Sequence, residues 1–197
     1  MRFIMRREKP EDHRKVEKLT RAVFWDAVMP PYAGEDLLVR KLRSHPIFVP
    51  ELDFVAEADG RVVGNIMYAR SKVKADDGKI HESLTFGPVS VWPDWQRQGI
   101  GAALIRYTLG LARVLGFRSV LIFGHPGYYP RFGFGPAGKF GVTPPRSELV
   151  PDDLASDSFM ALELLPGGLA GVSGCYVIDP VYELDPAEIA AFDPNLP

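Results

Sequence analysis

The apolar positions of this chain change their spacing several times, and each change marks an element. Residues 2–6 predict a short first strand. Pro10, Glu11 and Asp12 read as a helix start, because proline and acids suit a first turn. Val16, Leu19, Val23 and Phe24 then recur at helical spacing through Trp25. Met29 to Gly34 breaks this helix, and Glu35 to Arg43 predicts a second, with Leu37, Leu38 and Leu42 as its apolar positions. A strand meander follows. Phe54–Glu57 leads through a turn at Asp59-Gly60 to a strand from Val62 to about Val73. A turn at Asp76–Lys79 then leads to a strand over Ile80–Val91. Gly87-Pro88 falls inside that strand and predicts a bulge that pushes it away from a neighbour.

Residues 99–115 give the clearest helix, with Ile100, Ala103, Leu104, Tyr107, Leu111, Val114 and Leu115 along one face. Gly116-Phe117 is its stop. Val120–Phe123 is wholly apolar, as in a buried parallel strand, so strand, helix and strand make a β-α-β unit. Tyr128–Phe132 predicts a short helix, and Gly133–Pro145 a loop or irregular strand. Phe159–Leu164 and Cys175–Ile178 predict two closing strands. One domain is expected over 1–184, with 185–197 as a short peripheral tail.

Composition narrows the class. The chain has 197 residues, of which 46% are hydrophobic and 24% charged, which argues against disorder. A single cysteine, Cys175, excludes a disulfide framework and a zinc site built on several thiolates. No apolar run nears the roughly 20 residues that span a bilayer, and the N-terminus has no apolar signal core. The expectation is a cytoplasmic protein with no membrane, metal or nucleic-acid role. The net charge is −2, but its distribution is uneven. All 23 basic residues and 15 of the 25 acidic ones precede Ser147. A basic body of this kind attracts a polyanion, either nucleic acid or a phosphorylated cofactor, or simply presents a solvated surface, and no Lys/Arg run resembles a nucleic-acid patch.

Chemistry concentrates in Val89 to Ala102, where a strand gives way to an amphipathic helix. A helix N-terminus offers unpaired N–H groups and a positive dipole end, and glycines let an anion approach that backbone. Gln96, Arg97 and Gln98 add donors beside the turn. A P-loop is excluded because no Lys follows Gly101. A dinucleotide fingerprint is excluded because Leu104 holds its third glycine position. A third pattern, Gln/Arg-x-x-Gly-x-Gly/Ala, fits Gln96, Gly99 and Gly101 without a gap.

On these residues the sequence resembles the GCN5-related N-acetyltransferase (GNAT) superfamily. Tyr129, four residues before Gly133-Phe134, matches a second family motif. The stretches Gly124–Phe134 and Leu169–Gly174 look like a subgroup of predicted bacterial acetyltransferases typified by YhbS. The resemblance covers about Phe3 to Tyr182. It implies an α/β (α+β) three-layer fold, with helices on both faces of a central mixed, mostly antiparallel sheet. In that fold a V-shaped splay opens between strands 4 and 5. It implies acetyl-CoA as co-substrate, bound by Val89, Ser90, Val91, Gln96, Arg97, Gln98, Gly99, Ile100, Gly101 and Ala102. The pantetheine arm would pair with the backbone of Val89 and Val91, and an N–H near Ser90 or Val91 would face the oxyanion.

Acetyl transfer to an amine needs a neutral nucleophile and benefits from an acid at the departing thiolate. Tyr129 is the candidate acid, the alternative being that its ring packs beside Tyr128. Glu82, His81 and His125 are candidate bases, with an ordered water as the fourth option. The segment 24–36, with its aromatic residues and three carboxylates, is the candidate acceptor cover. The acceptor is a small-molecule amine or a protein amine, the chain a monomer or homodimer. A non-catalytic acyl-CoA-binding module is the rival reading.

Overall fold

The computed structural model describes residues 2–24, 34–145 and 158–192. Among the described residues nine strands form one sheet: β1 (Ile4–Arg7), β2 (Phe54–Ala58), β3 (Arg61–Ala75), β4 (Ile80–Val91), β5 (Ser119–Phe123), β6 (Gly135–Pro136), β7 (Val142–Thr143), β8 (Phe159–Glu163) and β9 (Gly174–Val177). They hydrogen-bond in the order β1-β2-β3-β4-β5-β8-β6, with β9 on β3 and β7 on β9. Among the described residues four α-helices accompany them: α1 (His13–Phe24), α2 (Glu35–Arg43), α3 (Ile100–Val114) and α4 (Pro186–Ala191). No described helix is long and apolar enough to cross a membrane. The chain divides into two compact units, one of Met1–Tyr68, Gly87–Thr108 and Val181–Pro197, the other of Ala69–Phe86 and Leu109–Pro180.

In the first unit, β1 and β2 pair antiparallel, as do β2 and the start of β3. Val16 and Leu19 of α1, Val39 and Leu42 of α2, and Val55, Val63 and Ile66 of the strands are fully or almost fully buried. On α2 the buried face is Leu37, Val39 and Leu42, and Leu38 is only half-buried. Charged groups hold the rim. Arg6 grips buried Asp12 with both terminal nitrogens, at 2.5 and 3.1 Å, and Lys9 N–H donates to the same carboxylate. Arg43 bridges Glu8 and Glu17.

The expected tail is firmly held. Asp185 caps α4 through Ala187 N–H at 2.7 Å. Ile189 and Leu184 lie where a side chain on Gly34 would go. Arg21 donates to the Phe192 carbonyl at 2.8 Å, and Arg40 sits 4.5 Å over the Phe192 ring.

In the second unit, β5 pairs antiparallel with β8, and β9 pairs antiparallel with the end of β3. Their inner face packs Val73, Leu121, Phe159, Leu169 and Tyr176. β4 meets β5 in parallel through the register pair Leu84↔Val120. Beyond that pair Gly87 has φ +147° and the Gly87-Pro88 peptide is cis. Proline has no N–H to give a ladder, which suits the place where two strands part.

α3 begins and stops within a residue of its expected bounds. Gly116, at φ +87°, closes it with Phe117 N–H on Ala112 O and Gly116 N–H on Arg113 O. Its inward face differs from the expected one. Ile100, Leu104, Ile105, Thr108, Leu109 and Ala112 are buried, whereas Tyr107, Val114 and Leu115 are exposed. The reason is Thr108. Its hydroxyl bonds back to Leu104 O at 2.8 Å and pairs with the Tyr68 hydroxyl at 2.9 Å. A polar residue with both needs met belongs inside as well as an apolar one.

Candidate active site

The glycine turn of the first unit is built from the end of β4. Trp92 anchors it, its N–H on Val63 O and its indole N–H on Val62 O. A single 3-10 turn over Pro93–Trp95 follows. Arg97 at φ +59° and Gly99 at φ +87° then swing the chain into α3. For Arg97 that conformation costs about 1 kcal/mol, held in place by its surroundings. The amides of Gln96 and Gln98 brace the loop from within, donating to Val91 O at 3.0 Å and Asp94 O at 2.9 Å. Arg97 is exposed.

Ala103 N–H makes the first helical bond, to Gly99 O at 2.9 Å. The N–H groups of Ile100, Gly101 and Ala102 therefore have no acceptor within the helix and point along its positive end. The Ile100 side chain is buried, so only its backbone serves the turn. Sequence reasoning passed over Gly64. A Cβ there would sit 3.0 Å from Ile100 Cγ2 and 3.3 Å from Ser90 O, so its bareness lets α3 start close against the strands. The signal was a glycine inside an apolar strand run. Ser90 is fully buried with its hydroxyl on Thr20, which leaves only its main chain for a ligand. Val89 and Val91 are half-buried.

The second unit holds Tyr129. His125 organises the turn before it. Its carbonyl accepts the N–H groups of Tyr128 and Tyr129, and its Nδ1 accepts Gly127 N–H at 3.0 Å. The neutral ring therefore carries its proton on Nε2. The Tyr129 ring is caged by Phe86 at 6.0 Å, Phe134 at 5.9 Å and Tyr128 at 5.2 Å. It lies across Gly124, where a Cβ would overlap Tyr129 Cε2 and Cδ2. Burial, helped by the neighbouring Tyr128, pushes its phenol up to about 12, and no hydrogen bond to a described residue offsets this. Packing and function are thus compatible readings of this ring. Tyr128 is braced by Arg131, 4.6 Å over its face.

The candidate bases lie apart on the surface of this unit. Glu82 is exposed on β4. His81 lines a shallow depression with Asp77, Lys79 and Ser173.

Within the segment 24–36, residues 25–33 lie outside the described residues. Of its three carboxylates, Asp36 is corrected to a structural role. It is fully buried, bonded to Arg21 Nε at 2.6 Å and to Leu37 N–H. An acid committed to a buried arginine does not greet a solvated amine. Glu35 has a buried Oε2 with no partner among the described residues, and burial pushes its pKa above the ordinary carboxylate value.

A family model for the acetyltransferase (GNAT) domain matches residues 51–136, which run from before β2 to β6. Over that stretch the chain is similar to the GNAT acetyltransferase domain. A curated relative, the uncharacterized N-acetyltransferase YjhQ of Escherichia coli K12, is 34% identical over 116 residues. That match covers 58% of this chain and 63% of YjhQ. Among solved structures, a Brucella melitensis GNAT family acetyltransferase in complex with acetyl-CoA is 27% identical, with a TM-score of 0.71 over 92% of this chain and 98% of that one. YhbS of Escherichia coli, in complex with CoA, shares the fold at a TM-score of 0.79 and 24% identity, over 93% of both chains. The GNAT fold thus accounts for the parallel β4–β5 pair inside a mostly antiparallel sheet.

Proposed function

We propose that this chain transfers the acetyl group of acetyl-CoA directly to an amine. The observation that carries the reading is the turn at 96–102, where three helix N–H groups and two left-handed residues follow β4 after a single 3-10 turn. A pyrophosphate is the anion that suits such a turn. The N–H groups of Ile100, Gly101 and Ala102 receive it, with exposed Arg97 adding charge. The main chain of Val89 and Val91 pairs with the pantetheine amides.

In the reaction the amine nitrogen adds its lone pair to the thioester carbon, and an oxyanion forms. A backbone N–H near Ser90 or Val91 stabilises it. The C–S bond then breaks, sulfur leaves with the electron pair, and Tyr129 donates a proton to it. The amine loses its own proton to water, which relays it outward, toward Glu82 on β4. A phenol held up to about 12 stays protonated at neutral pH and so offers its O–H to the departing sulfur, and being a weaker acid than a thiol it regains its proton from water at once. The acceptor class is a small-molecule or protein amine, and the setting is cytoplasmic.

Isothermal titration with acetyl-CoA, against NADH and ATP as controls, tests the reading. Selective acetyl-CoA binding followed by acetylation of an amine supports it. Failure of well-folded protein to bind acetyl-CoA overturns it. Tight binding without transfer to any amine leaves the acyl-CoA-binding module in its place.

A further inference from the structure

We infer that His125 is the positioning residue of Tyr129 and not a base, because the lone pair of its neutral ring is committed to the turn that carries the phenol. The inference rests on the acid role given to Tyr129 above. Three successive N–H groups lead up to the Tyr129 side chain, and His125 accepts all of them. Gly127 N–H donates to Nδ1 at 3.0 Å. The N–H groups of Tyr128 and Tyr129 donate to the His125 carbonyl at 2.9 and 3.3 Å. Ahead of them stands Pro126, which has no N–H to place.

The geometry is that of a helix cap, in which a side chain accepts from the second residue after it and proline stands between. A 3-10 turn over Tyr129–Phe132 follows at once, so the cap fixes where the phenol ring leaves the main chain. Gly127 is part of the device. A Cβ there would sit 3.0 Å from His125 Cε1, so its bareness lets the imidazole lie over the turn. His125, Gly127 and Tyr129 all belong to the second unit.

The same bond argues against a base. A neutral imidazole has one N–H and one acceptor nitrogen. With Nδ1 on Gly127 N–H and the proton on Nε2, neither nitrogen is open to a proton from an amine. A proton that arrives at Nδ1 displaces the Gly127 bond. What the turn asks of this ring is one acceptor, which an amide oxygen supplies equally well. Asparagine holds the N–H of the second residue after it in just this way.

The full chain is assayed with acetyl-CoA and 2-phenylethylamine, spermidine or glucosamine, as wild type, His125→Asn and His125→Leu, each also with Tyr129→Phe. His125→Leu is expected to lower kcat about tenfold, with acetyl-CoA affinity unchanged, as the acid loses its place. His125→Asn has an acceptor and no basic nitrogen, and is expected to restore kcat to within about threefold of wild type. In the Tyr129→Phe background the leucine change is expected to cost no further kcat, because it acts through the phenol. An asparagine variant as impaired as the leucine one makes His125 a base and overturns the inference. An unchanged kcat in His125→Leu, or an additive loss in the double variant, also overturns it. An unchanged kcat in Tyr129→Phe alone fails the acid role instead. Where no amine is turned over, the Tyr129 ring signals in aromatic NMR carry the comparison. Leucine is expected to displace them and asparagine to return them, and signals unmoved by leucine overturn the inference. If the leucine variant does not fold, the imidazole nitrogen-15 spectrum of the wild type decides. A proton on Nε2 with Nδ1 as acceptor supports the inference, and a neutral ring with its proton on Nδ1 overturns it.

Discussion

Tyr129 packs against Gly124 through Cδ2 and Cε2 of its ring, and no other residue type at 124 leaves room for the ring where it lies. Gly124 N–H is itself fixed to Ser158 O at 2.8 Å, so the strand end cannot back away without losing that bond. A Gly124→Ala variant is therefore expected to expel the ring from the Phe86 and Phe134 cage. Turnover should fall by about tenfold or more, as positioning of a general acid is lost, with acetyl-CoA affinity retained. Overpacking should cost about 1–3 kcal/mol of stability. Steady-state kinetics beside titration calorimetry check this, and unchanged kcat refutes it.

Tyr129→Phe removes the proton and keeps the packing. The expected loss in kcat is about 10²-fold or more, again with acetyl-CoA binding unaltered. The pH profile adds a second check. Burial holds the phenol up to about 12, so the acid stays protonated throughout the neutral and mildly alkaline range. Activity should show no alkaline limb from this residue at pH 10, where an ordinary tyrosine ionises. A wild-type limb near 10 that vanishes in the phenylalanine variant contradicts the assigned environment.

Gly101→Asp separates binding from folding. A carboxylate in the first turn of α3 complements the helix dipole, so the melting temperature should hold or rise slightly. The same charge meets the pyrophosphate that this turn is proposed to hold. Acetyl-CoA affinity should weaken by about a hundredfold or more in a folded protein. Calorimetry on the variant checks it, and wild-type affinity there places the anion elsewhere.

Asp12→Asn reports on stability with a definite pH sign. The Arg6 guanidinium beside Asp12 holds its carboxyl down to about 2, against an ordinary 3.8. A depressed carboxyl stabilises the fold above its unfolded value, and that contribution is lost as pH falls toward the folded one. The variant should be less stable by about 2 kcal/mol at pH 7. The gap should close between about pH 4 and 2, as read by denaturant melts across that range.

The sequence showed different parts of this molecule unequally. α2 and β4 have the expected bounds, because their periods are clean and their ends carry turn residues. The glycine turn was legible because donors, glycines and a helix start lie within six residues. The inward face of α3 was not, since its apolar residues ring the helix and the deciding residue, Thr108, is polar. Asp36 read as a loop acid because its partner, Arg21, lies on a different helix. Gly124 under Tyr129 was hidden for a similar reason. A contact across an irregular turn has no period to reveal it.

The hold of Phe192 on α1 has a consequence for how the polypeptide is made. Arg21 and the carbonyl it reaches are 171 residues apart. At ribosomal speed, about ten to thirty seconds pass between the synthesis of the two. The first unit draws on three stretches of chain, and its third is made only after every residue of the second unit. While the chain is nascent, Arg21 and Arg40 wait for their final partner. A nascent chain stalled short of α4 would present a half-finished first unit to the cell's chaperones.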